Sequence, residues 1–193
     1  GTRLLAVAVI SDRIKPTTPA ALSELRALGL EICMLTGDGR KTAASIAAEL
    51  GIGRYEAEVL PADKDQFIRR LQAEGRTVAM VGDGINDSQA LSRADVSIAM
   101  GRGTDIAMEV AMVTLMNSDL LLVPRAYKLS RDTVRAIRQN LFWAFVYNVV
   151  GIPIAAGVLY PVWGILLNPM LASAAMAFSS VSVVLNSLRL RWK

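Results

Sequence analysis

Thr77-Val78-Ala79-Met80-Val81-Gly82-Asp83-Gly84-Ile85-Asn86-Asp87 is the stretch on which the fold turns. An apolar run stops abruptly in two glycines, two carboxylates and an amide. A continuous apolar run, without polar alternation, reads as a strand (Thr77–Val81) buried on both faces, and such strands belong to parallel sheets covered by helices. Upstream, Leu4–Ile10 and Leu30–Leu35 have the same character and also run into small, hydroxyl and acidic residues, Ser11-Asp12 and Thr36-Gly37-Asp38. Helices are predicted over Ala20–Leu28, after the cap and first-turn proline of Thr17-Thr18-Pro19, over Gly39–Leu50 up to Gly51, and over Asp63–Glu74 up to Gly75. Downstream, Asp87–Ala94 reads as a short helix, Val96–Met100 as a fourth strand, and Thr104–Val110 and Met112–Met116 as a further helix and strand. Strands alternating with helices predict an α/β fold with a parallel sheet and right-handed crossovers. Such sheets bind ligands at the carboxyl ends of their strands, where three strands here deliver the same chemistry.

Charge divides the 193 residues in two. Residues 139–188 contain no charged side chain, and all 38 charges sit elsewhere. About 20 apolar residues suffice to span a bilayer, so a run of this length predicts membrane-spanning helices. Residues 1–124 carry 13 Lys/Arg and 16 Asp/Glu, whereas residues 125–193 carry 8 Lys/Arg and the single acid Asp132. The basic excess flanks the apolar run, in Arg125, Lys128, Arg131, Arg135 and Arg138 on one side and Arg189, Arg191 and Lys193 on the other. That placement fits membrane topology with both flanks in the cytoplasm and disfavours nucleic acid as the partner. Pro124–Asn140 reads as a basic helix running into a first span, about 141–160. Pro161–Pro169 reads as a turn, and a second span covers about 170–188. Tyr160 and Trp163 suit the far interface. Pro153, beside Gly151, is expected to break the first helix. Residues 1–118 and 119–193 are thus the expected domains.

Gly82 to Asp87 brings two carboxylates together without histidine, which the chain lacks altogether, so histidine-based ligation and acid–base chemistry are excluded. Oxygen donors of this kind suit Mg²⁺, which is commonly shared between carboxylates and phosphate. The same composition also fits a solvated acidic turn. Thr36 and Lys64 supply the complement: a hydroxyl and backbone N–H groups for phosphoryl oxygens, and an ammonium to neutralise them. Gly37-Asp38-Gly39-Arg40-Lys41-Thr42 is not a Walker loop, because Arg40 stands where glycine must precede the lysine. The lone Cys33 in an apolar stretch excludes a disulfide framework and reads as a core thiol. Asn86-Asp87-Ser88 matches a glycosylation acceptor, which the cytoplasmic assignment leaves unused. No signal peptide is visible, and a first residue that is Gly rather than Met suggests a fragment.

Taken in order, Asp12 with Lys15-Pro16, Thr36-Gly37-Asp38, Pro61 to Lys64, Gly82 to Asp87 and Gly103-Thr104-Asp105 resemble the second half of the phosphorylation domain of a P-type ATPase. The resemblance implies a partial haloacid dehalogenase-like, Rossmann-like domain. It implies that Asp83 holds Mg²⁺, with Asn86 and Asp87 organising the site. Thr36 and Lys64 would contact the phosphoryl group, with Gly37 and Asp38 shaping their loop. The final hairpin resembles that of the copper-transporting subclass, through Tyr147-Asn148 and Met176-Ala177-Phe178-Ser179-Ser180. Met176 and Ser180 stand four apart on one helix face, and a thioether suits a soft ion such as Cu(I). Methionine also fills gaps, and serine and asparagine also join helices. The resemblance departs at Ser88-Gln89, where the family has Ala-Pro, and at Lys15-Pro16, where it has Arg-Pro.

No Asp-Lys-Thr-Gly sequence occurs, so the nucleophilic aspartate is absent from this chain, as are the nucleotide-binding and actuator domains and a Cys-Pro-Cys helix. The expectation is therefore the C-terminal portion of an integral plasma-membrane protein with a cytoplasmic soluble part. The intact protein would export Cu(I), using Mg²⁺ and ATP, the nucleotide being bound mainly by the missing N-terminal portion. Alone, the fragment is expected to be inactive. A zinc- or cadmium-exporting relative and a non-catalytic membrane-tethered module are the alternatives.

Overall fold

The computed structural model describes residues 13–82, 87–101, 109–158, 160–164 and 169–192. The chain divides into two compact units, residues 1–125 and 126–193. The strand expected over Leu4–Ile10 lies outside the described residues, as does most of the helix expected over Thr104–Val110.

In the first unit, α1 (Thr18–Ala27) leads to β1 (Cys33–Leu35), α2 (Arg40–Glu49), β2 (Arg54–Glu56) and α3 (Pro61–Ala73). Then come β3 (Ala79–Gly82), α4 (Ser88–Arg93), β4 (Val96–Met100) and β5 (Val113–Leu115). Every strand pairing is parallel, as expected, with β1 beside β2 and the order β3-β4-β5. Among the described residues the strands form two sheets rather than one. The strand β2 was not foreseen. The expected strands are shorter, β1 starting at Cys33 rather than Leu30 and β5 being trimmed to Val113–Leu115.

The helices sit where periodicity places them. The end of α2 shows why its stop was legible: Gly51, at φ 63°, donates to the Ala48 carbonyl while Ile52 donates to that of Ala47. This is the paired closure that a left-handed residue permits and that glycine adopts without steric cost. Leu22, Ala47 and Ile52 form one buried cluster, while Ile98, Met100 and Val123 form another. Leu25 and Leu120 pack against both, so α1 and the segment after β5 join the two sheets through apolar contact. A third cluster of Ile68, Ala90 and Ala94 fixes α3 against α4.

One long helix, α5 (Leu122–Ala155), runs from the end of the first unit through much of the second. A short turn, α6 (Tyr160–Trp163), precedes α7 (Pro169–Leu188), which continues into a 3₁₀ turn over Arg189–Trp192. The expected break at Pro153 does not occur. The helix continues to Ala155 and stops at Gly157 (φ 82°), whose N–H bonds the Ile154 carbonyl while Val158 bonds that of Pro153. Pro153 has no N–H to give the Val149 carbonyl, and the helix carries that missing bond in its interior without ending there.

The membrane hairpin expected over 141–160 and 170–188 is not borne out as drawn: among the described residues no helix is long and apolar enough to cross a membrane. The first half of α5 is charged through Arg138, and its second half carries Gln139, Asn140, Tyr147 and Asn148.

Candidate functional site

The site begins with the buried face of α3. Phe67, Ile68 and Leu71 face inward on this helix, and Lys64 stands one turn before Ile68 on the same stripe. Its ammonium is thereby carried inward, where only 14% of the side chain is exposed. It meets Asp87 Oδ1 at 2.6 Å, and that side chain is 12% exposed. An ion pair this withdrawn from water is held by geometry, because either charge alone would be costly to bury. Asp87 stands at the N-cap of α4, yet its carboxylate makes no capping hydrogen bond. It turns toward Lys64 instead.

Gly82, the last residue of β3, makes room for this arrangement. A Cβ there would lie 2.7 Å from Asp87 Oδ2 and 2.9 Å from Asp87 Cβ. The glycine is required by close approach, and a side chain there would displace the carboxylate. One Asp87 oxygen is thus committed to Lys64, while Oδ2 has no hydrogen-bond donor among the described residues. A hard divalent cation fits such a donor. Mg²⁺ takes carboxylate oxygens one or two at a time and fills its other positions with water and phosphate. Asp83 and Asn86, the other two candidates of this motif, lie outside the described residues, as do Gly103, Thr104, Asp105 and Asp12.

Thr36 follows β1 directly. Its hydroxyl donates to Asp38 Oδ2 at 2.7 Å and accepts the Asp38 N–H at 3.1 Å. Asp38 therefore holds the hydroxyl in place, and Gly37 and Asp38 lie at the surface where the loop turns into α2. The chain leaving β2 braces this loop. Thr36 N–H donates to the Glu56 carbonyl, Val59 N–H to that of Thr36, and Glu58 N–H to that of Asp38. Glu58 takes a left-handed φ of 58° to do so. Two residues further, Leu60 caps α3, so a single short segment sets both the Thr36 loop and the helix that carries Lys64. The sequence reading missed this segment, whose polar composition carries no strand signal. The structure brings Lys64 to Asp87 and Thr36 to Asp38. No direct side-chain bond joins these two pairs among the described residues.

Cys33, on β1, has its thiol pKa raised, chiefly by burial, with the Arg54 charge opposing. Such a thiol stays protonated and is a weak nucleophile.

In the second unit the candidate ion residues face their own helices or the surface. Asn148 donates to the Ala144 carbonyl at 2.8 Å and Ser180 to the Met176 carbonyl at 3.2 Å. The Met176 side chain is exposed, as is Tyr147 to a lesser degree. Among the described residues no hydrogen bond joins Tyr147 or Asn148 to Met176 or Ser180.

Residues 1–95, which carry the parallel strands and the Lys64–Asp87 pair, match the family described as haloacid dehalogenase-like hydrolase. The chain is 58% identical over 98% of its length to copper-transporting ATPase 1 of Rhizobium meliloti (strain 1021) and 56% identical over 97% to a silver exporting P-type ATPase of Salmonella typhimurium. A crystal structure of a zinc-transporting PIB-type ATPase in the E2.Pi state superimposes with a TM-score of 0.79 at 37% identity, covering 93% of this chain and 28% of that one. The chain belongs to the P-type ATPases, with its haloacid dehalogenase-like part in the first unit. It spans about a quarter of the length of the curated relatives it matches, 23% of each of the two named.

Proposed function

We propose that the protein carrying this chain exports Cu(I) at the expense of ATP through an aspartyl-phosphate intermediate, and that the chain contributes its phosphoryl-handling lysine, its Mg²⁺-binding carboxylates and two membrane helices. The observation that carries the reading is the withdrawn Lys64–Asp87 pair beside the end of β3. Lys64 there neutralises charge on phosphoryl oxygens, and Thr36 offers its hydroxyl once released from Asp38. Asp83 and Asp87 would hold Mg²⁺, which supplies charge for the phosphoryl group when bound. The nucleophilic aspartate and most of the ATP site belong to sequence outside these residues.

The membrane part of the proposal draws on the charge-free run of residues 139–188 and on its exposed apolar side chains. Leu141, Phe142, Phe145, Val149, Val150 and Ile152 on α5, and Phe178, Val181, Val184 and Leu185 on α7, all lie at the surface. An apolar surface of this extent needs lipid or other helices to cover it. We place both basic flanks on the cytoplasmic side of the plasma membrane. The ion reading favours copper because Tyr147, Asn148, Met176 and Ser180 offer one thioether and neutral oxygen and amide groups. A divalent zinc site draws on carboxylate, imidazole or thiolate, and residues 139–188 contain none of these. The likeness to a zinc transporter is the weaker one, at 37% identity against 58% for the copper relative.

The test is ATP hydrolysis by the full-length protein with Cu(I), Ag(I) or Zn(II), in wild type and in Met176→Leu, which removes the sulfur at nearly constant volume. Stimulation by the two monovalent ions and a severalfold loss in the variant are expected. Preferential zinc stimulation, or an undiminished copper response in Met176→Leu, would overturn the assignment of the ion.

A further inference from the structure

Within the second unit, α5 and α7 change from charged to uncharged at the same level. Arg138 is the last charge before the uncharged run and Arg189 the first after it. There the two helices are clasped by amides. Asn186 Nδ2 donates to Asn140 Oδ1 at 2.8 Å and to Gln139 Oε1 at 3.4 Å, and Asn140 Nδ2 donates to Ser187 Oγ at 2.9 Å. Beside the clasp lies a cavity of about 180 Å³ lined by Asp132, Arg135, Gln139, Asn186 and Arg189. That volume far exceeds what one ordered water needs.

The lining is rich in hydrogen-bond donors. Neither Arg135 nor Arg189 has an ion-pair or hydrogen-bond partner among the described residues. Gln139 gives its oxygen to Asn186, which leaves its NH₂ as a donor. Asp132 is the one carboxylate in the lining, set against two guanidinium groups, and residues 126–193 as a whole carry seven Lys/Arg and one Asp. Two arginines lining one cavity suit the oxygens of a phosphate ester, which arginine binds in bidentate fashion. The border of the cavity identifies the ester. Leu141, Phe142, Leu185 and Leu188 are exposed next to it along the two helices. A free anion would use the charges and have no use for these apolar neighbours, whereas a phospholipid uses both.

We infer that the Arg135–Arg189 cavity binds the phosphate of an anionic phospholipid from the cytoplasmic leaflet and so fixes the end of α7 against α5. The inference rests on the reading of this unit as membrane-embedded, and general precedent for basic pockets between helices at that leaflet supports the chemistry.

The experiment reconstitutes the full-length protein in phosphatidylcholine bilayers with and without phosphatidylglycerol. Vesicle flotation is scored first, and lipid retained by the protein is then counted by native mass spectrometry. Wild type should retain phosphatidylglycerol over phosphatidylcholine, and R135Q/R189Q should lose roughly fivefold of that preference per arginine, about 25-fold together. R135K/R189K, which keeps the charge, should hold an intermediate preference and shows that loss in the glutamine variant is not misfolding. Inorganic phosphate in excess should not displace the lipid. Equal retention by wild type and R135Q/R189Q would overturn the inference, and displacement by inorganic phosphate would make the cavity a free-anion site and overturn the lipid assignment. Failure of the wild type to float with vesicles would instead refute the membrane reading beneath it.

Discussion

The two units solve the burial of apolar side chains in opposite ways. In residues 1–125, leucine, isoleucine and alanine side chains are withdrawn from water: Leu22, Ala47, Ile68, Ala90 and Leu91 are all at most 6% exposed. An ion pair is withdrawn with them. In residues 126–193, Ala136 is the one buried apolar side chain among the described residues, while Phe178 is 68% exposed and Phe145 69%. The first unit makes its own interior. The second spends its apolar composition on its outside, and a helix apolar over most of its surface belongs in an apolar environment. Side chains of the same kind therefore carry different energies in the two halves, and substitution separates them.

The largest effect expected is at the ion pair. Lys64→Met leaves the Asp87 carboxylate buried without a cation, which costs about 3–5 kcal/mol and removes the charge proposed to meet the phosphoryl group. Denaturant unfolding of the α/β unit and phosphoenzyme formation by the full-length protein should fall together. A variant of wild-type stability would show that Asp87 finds water or another partner.

Ile68→Ala and Phe178→Ala sharpen the contrast at apolar positions. Ile68 is 1% exposed at the centre of the α3–α4 contact, and its truncation should cost roughly 2–5 kcal/mol by transfer and cavity terms. Phe178 loses more atoms, yet should change unfolding of the detergent-solubilised protein by less than about 0.5 kcal/mol. Comparable losses at the two positions would break the comparison.

The α/β fold was legible in continuous apolar runs and in the glycines that close helices, and those signals are local. Thr36 stood out as a candidate because it follows a strand, whereas Lys64 on α3 and Asp87 before α4 were candidates through the motifs they sit in. Their pairing was not, because which oxygen Lys64 meets depends on how α3 packs against α4. The segment Arg54–Val59 stayed hidden for a different reason. Arg54-Tyr55-Glu56 is a short polar strand, and it joins β1 through backbone bonds that leave no hydrophobic pattern. Pro153 misled because the helix carries the missing bond in its interior and is closed instead by Gly157, four residues on.

A smaller effect should appear in acid. Asp95 accepts the Val78 N–H at 2.8 Å, and this bond, with help from Gln72, holds its carboxyl below the usual carboxylate range. A depressed folded pKa contributes stability that is present above the unfolded value, about 3.9, and is lost as pH falls through the folded one. Asp95→Asn should therefore lower the stability of the α/β unit in the neutral region and flatten its acid limb, so that variant and wild type converge as pH falls below about 4. An acid limb identical to wild type would assign the sensitivity to other carboxylates.

The claim that the second unit turns its apolar side chains to lipid is tested most directly by its own fluorescence. The three tryptophans of the chain, Trp143, Trp163 and Trp192, all lie in residues 126–193. With Trp163→Phe and Trp192→Phe, Trp143 on α5, 51% exposed, becomes the sole reporter in the chain. In vesicles whose acyl chains carry bromine, its emission should be strongly quenched, while aqueous acrylamide should have little effect. Quenching by acrylamide as efficient as for free tryptophan, with no response to brominated lipid, would contradict the account.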